Sequence, residues 1–174
     1  MIFLLREIIV KTLIGKGKYD SYDTKIIKLN ENVSKTLGCW IINHQCNLEE
    51  SKKRVVVNGT YDIQLWYATD NDQKTCVYNE TVSFFGSVNM SWRKLTTLND
   101  DKFLKVHIIK YPTAIGMKLL EDNEVEIKIE SSYIVDVFAE AIVTVETKED
   151  DLDDSELDEE IIMNVNPNYL ETKK

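Results

Sequence analysis

The chain has 174 residues, 43% apolar and 29% charged, enough for one domain to bury its own core without disulfides or a metal. No stretch approaches the roughly 20 apolar residues of a membrane-spanning helix, and MIFLLRE meets charge at Arg6 and Glu7 too soon for a signal-peptide core; a cytoplasmic start without direct membrane insertion is expected. The net charge of −9 lies wholly in residues 146–160, with ten acids and one lysine, against twenty acids and twenty bases elsewhere; this neutral body has no basic patch for nucleic acid or an anionic membrane.

Eight Tyr, five Phe, three Trp and many Val and Ile, against two Pro and six Gly, suit pleated, half-buried surfaces and lean the chain toward β. Without a secretory route, the sequons at Asn32, Asn58, Asn79 and Asn89 are chance matches in a Ser/Thr/Asn-rich sequence. The first segment, EIIVKTLIG, is ambiguous between helix and strand. Strand is favoured because GKGKY and DTKIIKL follow at hairpin-like spacing. IGKGKYDSY at 14–22 is rich in Gly and Lys but lacks the spacing and Ser/Thr of a phosphate loop, and reads as a turn with a basic rim.

GCWIINHQC, residues 38–46, sets two cysteines around a histidine. In a regular strand Trp40, Ile42, His44 and Cys46 share one face, and Cys39, Ile41, Asn43 and Gln45 the other. Cys39 then cannot join His44 and Cys46 around a tetrahedral ion. With no CxxC or HxxxH, and with Cys76 and His107 as the remaining soft candidates, no metal centre is expected. Cys46 and His44 share a face, but no oxyanion loop or orienting acid accompanies them. The stretch reads as a strand with a buried histidine beside Trp40.

RVVVNGTYDIQLWYAT puts Tyr61, Ile63, Leu65 and Tyr67 on one face, with Asp62, Gln64 and Trp66 opposite. Asn58-Gly59 marks a bulge or a tight turn, and Val55 and Val57 belong to a candidate sheet edge. DNDQ at 70–73 is a turn, and KTCVYNETVSFF is the returning arm of a hairpin. Asp100-Asp101 is read as a solvated turn. FLKVHIIKY, AIGMKLL and EVEIKIE are three short strands broken at Tyr-Pro and Glu-Asp-Asn. SYIVDVFAEAIVTVET alternates throughout, with Tyr133, Val135, Val137, Ala139, Ala141, Val143 and Val145 on one side, a period of two. Strands at this spacing without a long helix indicate an all-β fold, an antiparallel sandwich or barrel-like domain over residues 1–146.

Residues 147–160 are too poor in apolar groups to fold alone and read as a self-repelling acidic linker. Apolar character returns at 161–174, IIMNVNPNYLETKK. Ile161, Ile162, Asn166, Pro167, Tyr169 and Leu170 are candidates for docking a partner; a disordered solubilising tail is the alternative. The three cysteines, Cys39, Cys46 and Cys76, are expected reduced, as small core hydrophobes. Three is odd, however, so oxidation would leave a thiol for intermolecular cross-linking. There is no GxSxG, P-loop, GxGxxG or HExxH, and the sequence indicates neither an enzyme nor a cofactor.

REIIVKTLIGKGKY, LGCWIINHQCN and VNGTYDIQLWYATDNDQKTCV, with the acidic run and a closing NPNYL, resemble the outer spore coat morphogenetic protein CotE family of endospore-forming bacteria. The resemblance covers essentially the whole chain, and GTYDIQLWY with its polar turn and threonine-rich return strand is its most specific part. FFGSVNMSWRKLTTLNDD matches only in pattern. VVVNGTYDIQLWYATD…TVSFFGSV is similar, more loosely, to a repeated β domain of other spore-coat assembly proteins. The resemblance implies a non-enzymatic scaffold. Such proteins are made in the mother-cell cytoplasm, self-associate around the forespore, are held by coat-anchoring morphogenetic proteins and recruit other coat proteins to the outer layer. Pairing of edge strands between copies is the expected contact. The alternative is a soluble, acidic-tailed β-sandwich serving as a binding module or chaperone for basic partners.

Overall fold

The computed structural model describes residues 3–52 and 54–148, so the acidic linker and the C-terminal docking candidates lie outside the described residues. Seven strands follow in order: β1 (Phe3–Lys28), β2 (Val33–Ser51), β3 (Arg54–Thr69), β4 (Lys74–Ser87), β5 (Asn89–Trp92), β6 (Thr96–Leu119) and β7 (Glu124–Lys148). They form two antiparallel sheets, β5-β1-β7-β6 and β2-β3-β4. The all-β, sandwich-like class read from the sequence is what the chain adopts.

The described residues divide into two compact units, 11–141 and a second formed by 3–10 with 142–148. In the smaller one the Thr147 hydroxyl donates to the Leu4 carbonyl at 3.1 Å, and Leu4, Leu5, Ile8 and Ile9 are exposed. In the larger one the core is built from the odd-numbered faces of β3 and β7. Tyr61, Ile63, Leu65 and Tyr67 meet Val125, Ile127, Ile129 and the β1 residue Ile27 in one cluster. Val55 and Val57 meet Tyr133, Val135, Val137, Ala139 and Ala141 in a second. Both alternating faces read from the sequence are therefore core faces as far as Ala141; Val143 and Val145 are half-buried.

Two of the turns are made by Asn and Asp rather than by Gly, while Lys52 takes the positive φ between β2 and β3. Asp70, Asn71 and Asp72 all have positive φ in the β3–β4 hairpin, and Asp122 and Asn123 do so in the 3-10 turn at Glu121–Asn123. These residue types tolerate the left-handed region because a short polar side chain can bond locally. No glycine has a positive φ.

The structure departs from the sequence expectation at four places. GKGKY is not a turn, since β1 continues through it as one strand of 26 residues. Its glycines make room for β5: a Cβ on Gly15 would meet the Trp92 ring at 2.6 Å, and one on Gly17 the Asn89 carbonyl at 2.8 Å. Tyr111-Pro112 does not break β6, because this strand ends its sheet and has an edge where a missing N–H costs nothing. Asp100 and Asp101 lie in the exposed first half of β6, not in a turn. Val55 and Val57 belong to β3, the middle strand of its sheet, and are fully buried.

Two seams close the sandwich. Along one, Lys102 of β6 pairs with Glu50 of β2 at 2.8 Å, and Tyr111 of β6 meets His44 of β2 edge-on at 5.6 Å. Along the other, Lys25 of β1 pairs with Glu80 of β4 at 2.8 Å, and the Tyr19 ring packs on Gly86, where a side chain would not fit.

Candidate assembly surface

The 38–46 stretch is a strand, as expected, but its faces are not those of a regular strand. Ile42 pairs with Asp62 and Gln45 with Thr60, so Asn43 and His44 together oppose the single residue Tyr61. This is a β-bulge. Asn43 takes it up at φ 53° and donates from Nδ2 to Asp62 Oδ2 at 2.7 Å. The other Asp62 oxygen accepts from the Thr81 hydroxyl of β4 at 2.6 Å. These two donors, Thr81 first, hold the Asp62 carboxyl below the usual range.

The extra residue reverses the strand's phase. Before it, Cys39 and Ile41 face Leu65 and Ile63 of the core; after it, Cys46 and Leu48 face Gly59 and Val57. Cys39, His44 and Cys46 thus all turn inward, correcting the expected separation of Cys39 from the other two. His44 does not lie beside Trp40, which is on the outer face, 55% exposed and edge-on to Trp66 at 6.2 Å. His44 instead stacks on Phe84 at 5.7 Å, with its Nε2 3.0 Å from the Tyr133 hydroxyl. Tyr133 continues the stack to Phe84 at 5.9 Å and to Tyr19 at 6.0 Å.

Asn58-Gly59 is explained by the same feature. The bulge lies on β2, and Gly59 on β3 is the space it needs: a Cβ there would meet the Gln45 carbonyl oxygen, and Cys46 Cα at 2.9 Å.

The inward turn suits packing better than chemistry. Burial pushes the Cys39 thiol up to about 11 and raises that of Cys46 as well, which withholds the thiolate a nucleophile or metal ligand requires. Burial likewise pushes the Tyr61 and Tyr133 phenols up to about 12. Among the described residues no group of three His, Cys, Asp or Glu could hold a metal ion, and the three cysteines are free. Cys76 is half-buried on β4, with its sulfur 4.0 Å from the Thr69 hydroxyl. A cluster that sequence reading did not assemble joins three strands: Asp136 of β7 takes His107 Nε2 of β6 at 3.0 Å and lies 4.0 Å from Lys16 Nζ of β1. Period-two alternation puts Asp136 on an outer face, but its neighbours depend on strand order.

Burial lowers the His44 pKa from its ordinary 6.5. Unfolded chains then bind a proton that folded ones resist, so stability is unaffected by His44 above about pH 6.5 and falls as pH drops from there toward the folded value. Urea midpoints measured from about pH 8 down to about pH 5 should fall, and less so in His44→Gln. An equal fall in both proteins would rule His44 out as the source.

The outer face of the three-stranded sheet carries Trp40, Ile42, Val77 and Phe85, all exposed, the last by 71%. Phe85 and Val77 lie on β4, which ends its sheet. Among the described residues no helix is long and apolar enough to cross a membrane. No curated protein matches the chain. The family model for outer spore coat protein E (CotE) matches residues 4–172, nearly the whole length, and the chain belongs to that family of outer spore coat proteins.

Proposed function

We propose that this protein is a non-enzymatic scaffold that is made in the mother-cell cytoplasm, self-associates around the forespore and directs assembly of the outer coat. The observation that carries this reading is the family match from residue 4 to residue 172, which runs through the β body and the tail alike. The place of β4 at the end of its sheet and the exposed apolar residues on its outer face support contact between copies. In this reading the acidic run at 147–160 tethers a docking segment, with Ile161, Ile162, Asn166, Pro167, Tyr169 and Leu170 engaging coat or coat-anchoring proteins. Oxidative cross-linking between copies would draw on Cys39, Cys46 and Cys76, all three free and half-buried. Cys→Ser changes would then alter cross-linking alone.

Light scattering and electron microscopy in reductant test the reading on the full chain and on one ending at Glu146. Large regular assemblies are expected from both, with the tail acting as a recruiting arm. Loss of assembly on truncation would move the contact into the tail. Monodisperse monomers from both at high concentration would overturn the scaffold. That outcome would favour the acidic-tailed binding module, which the −9 charge of residues 146–160 supports. Such a module would bind basic proteins with an affinity that weakens steeply with salt.

A further inference from the structure

We propose that β4 is the self-pairing strand. Its free edge takes the β4 of a second copy, antiparallel, in the register that sets Thr81 opposite the second copy's Thr81. The inference rests on the self-association proposed above and names its surface.

Sheet edges are normally guarded by bulges, prolines, charges or short length. In the 11–141 unit every other edge has such a guard. β2 has register shifts after Val33, Thr36 and Ile42. β6 carries Pro112 and four lysines, Lys102, Lys105, Lys110 and Lys118. β5 is four residues long. The stretch of β1 beyond its pairing with β5 carries Asp20, Asp23, Lys25 and Lys28. β4 has neither a bulge nor a proline, nor a charge on its outer face. It runs 14 residues in unbroken register with β3 from Val56↔Ser87 to Thr69↔Lys74. Its charged residues are Lys74 at the very start and Glu80, an inward charge that Lys25 of β1 neutralises at 2.8 Å.

The chemistry of the outer face selects a copy of the same strand. Thr75, Val77, Asn79, Thr81, Ser83 and Phe85 present no charge, so two copies meet without like-charge opposition. Centred on Thr81, antiparallel pairing puts Val77 (41% exposed) opposite Phe85 (71% exposed) twice, Asn79 opposite Ser83 twice, and Thr81 opposite itself. Aromatic with β-branched and Thr with Thr are favourable cross-strand pairs. The inward residues pair as Glu80 with Val82 and Tyr78 with Phe84, again without like charges. The product is a six-stranded sheet with a two-fold axis through Thr81, an isologous contact that closes a dimer, the unit that further contacts would join into large assemblies.

The test is register-specific cross-linking of the full chain in a Cys76→Ser background. Opposed residues of an antiparallel pair have Cα atoms about 4.5–5.5 Å apart, within the roughly 4.4–6.8 Å that a disulfide spans. Mild oxidation of Thr81→Cys should give disulfide-linked dimers, and mixing Asn79→Cys with Ser83→Cys should give heterodimers. Thr75→Cys should stay at the background level. As a readout free of thiols, Thr81→Lys opposes two ammonium groups and should lose the large assemblies while keeping the parent's circular dichroism. If Thr81→Cys cross-links no more than Thr75→Cys while the parent still assembles, the β4 pairing is wrong and the scaffold stands. If the parent is monomeric, both fall.

Discussion

Replacing Gly59 with alanine is expected to cost about 3 kcal/mol or more, and with valine to prevent folding, because the added atoms meet backbone that has nowhere to move. The Gln45 carbonyl and Cys46 Cα stand where the Cβ would go, and both belong to the bulge that sets the phase of β2. A flexible side chain could swing aside, but this main chain is tied on its far side by the Asn43–Asp62 bond. Gly116 is the control: a Cβ there has Lys128 Cδ as its nearest neighbour at 3.7 Å. Gly116→Ala should be neutral or slightly stabilising through lost freedom in the unfolded chain. Urea denaturation followed by circular dichroism separates the two, and equal midpoints would show that the bulge does not need the space.

Tyr133→Ala should cost about 3–5 kcal/mol, the range for removing a large buried aromatic side chain. Tyr133 is fully buried and stacks with Tyr19 and Phe84 while meeting the His44 ring, so its loss opens a cavity bordered by β1, β2 and β4. Tyr133→Phe keeps the ring and removes only the hydroxyl 3.0 Å from His44 Nε2, which should cost about 1 kcal/mol. The difference between the two substitutions isolates packing from hydrogen bonding. A Phe variant as unstable as the Ala variant would contradict the assignment of this site to packing.

The strands that build the core were legible because their signal is local. Alternation at 61–67 and 133–141 follows from one face meeting apolar groups and the other not, and each residue reports its own side. The turns at 70–73 and 121–123 were equally legible, since Asn and Asp carry their conformational preference with them. Glycine misled. Gly15, Gly17 and Gly59 look like turn formers, yet each is absent bulk for a neighbouring strand, and a single sequence does not say which neighbour. The faces of Cys39, His44 and Cys46 were misread for a related reason: a bulge is a relation between two strands, visible only once Ile42 and Gln45 have partners. Pro112 was tolerable only because of β6's place in the sheet order, and Val55 lost its edge to that same order. The candidate assembly surface shares this dependence. The residues of β4 could be read, whereas its place at the end of the sheet could not.

The unbroken ladder between β3 and β4 bears on mechanics. Its hydrogen bonds lie across the strands, so a pull along the strand axis loads every rung from Val56↔Ser87 to Thr69↔Lys74 together, in shear. A pull at right angles would instead open them one at a time, as a zipper opens. A layer in which this ladder lies in the plane of the shell would therefore resist stretching, as when a swelling interior presses outward, far better than peeling from its rim.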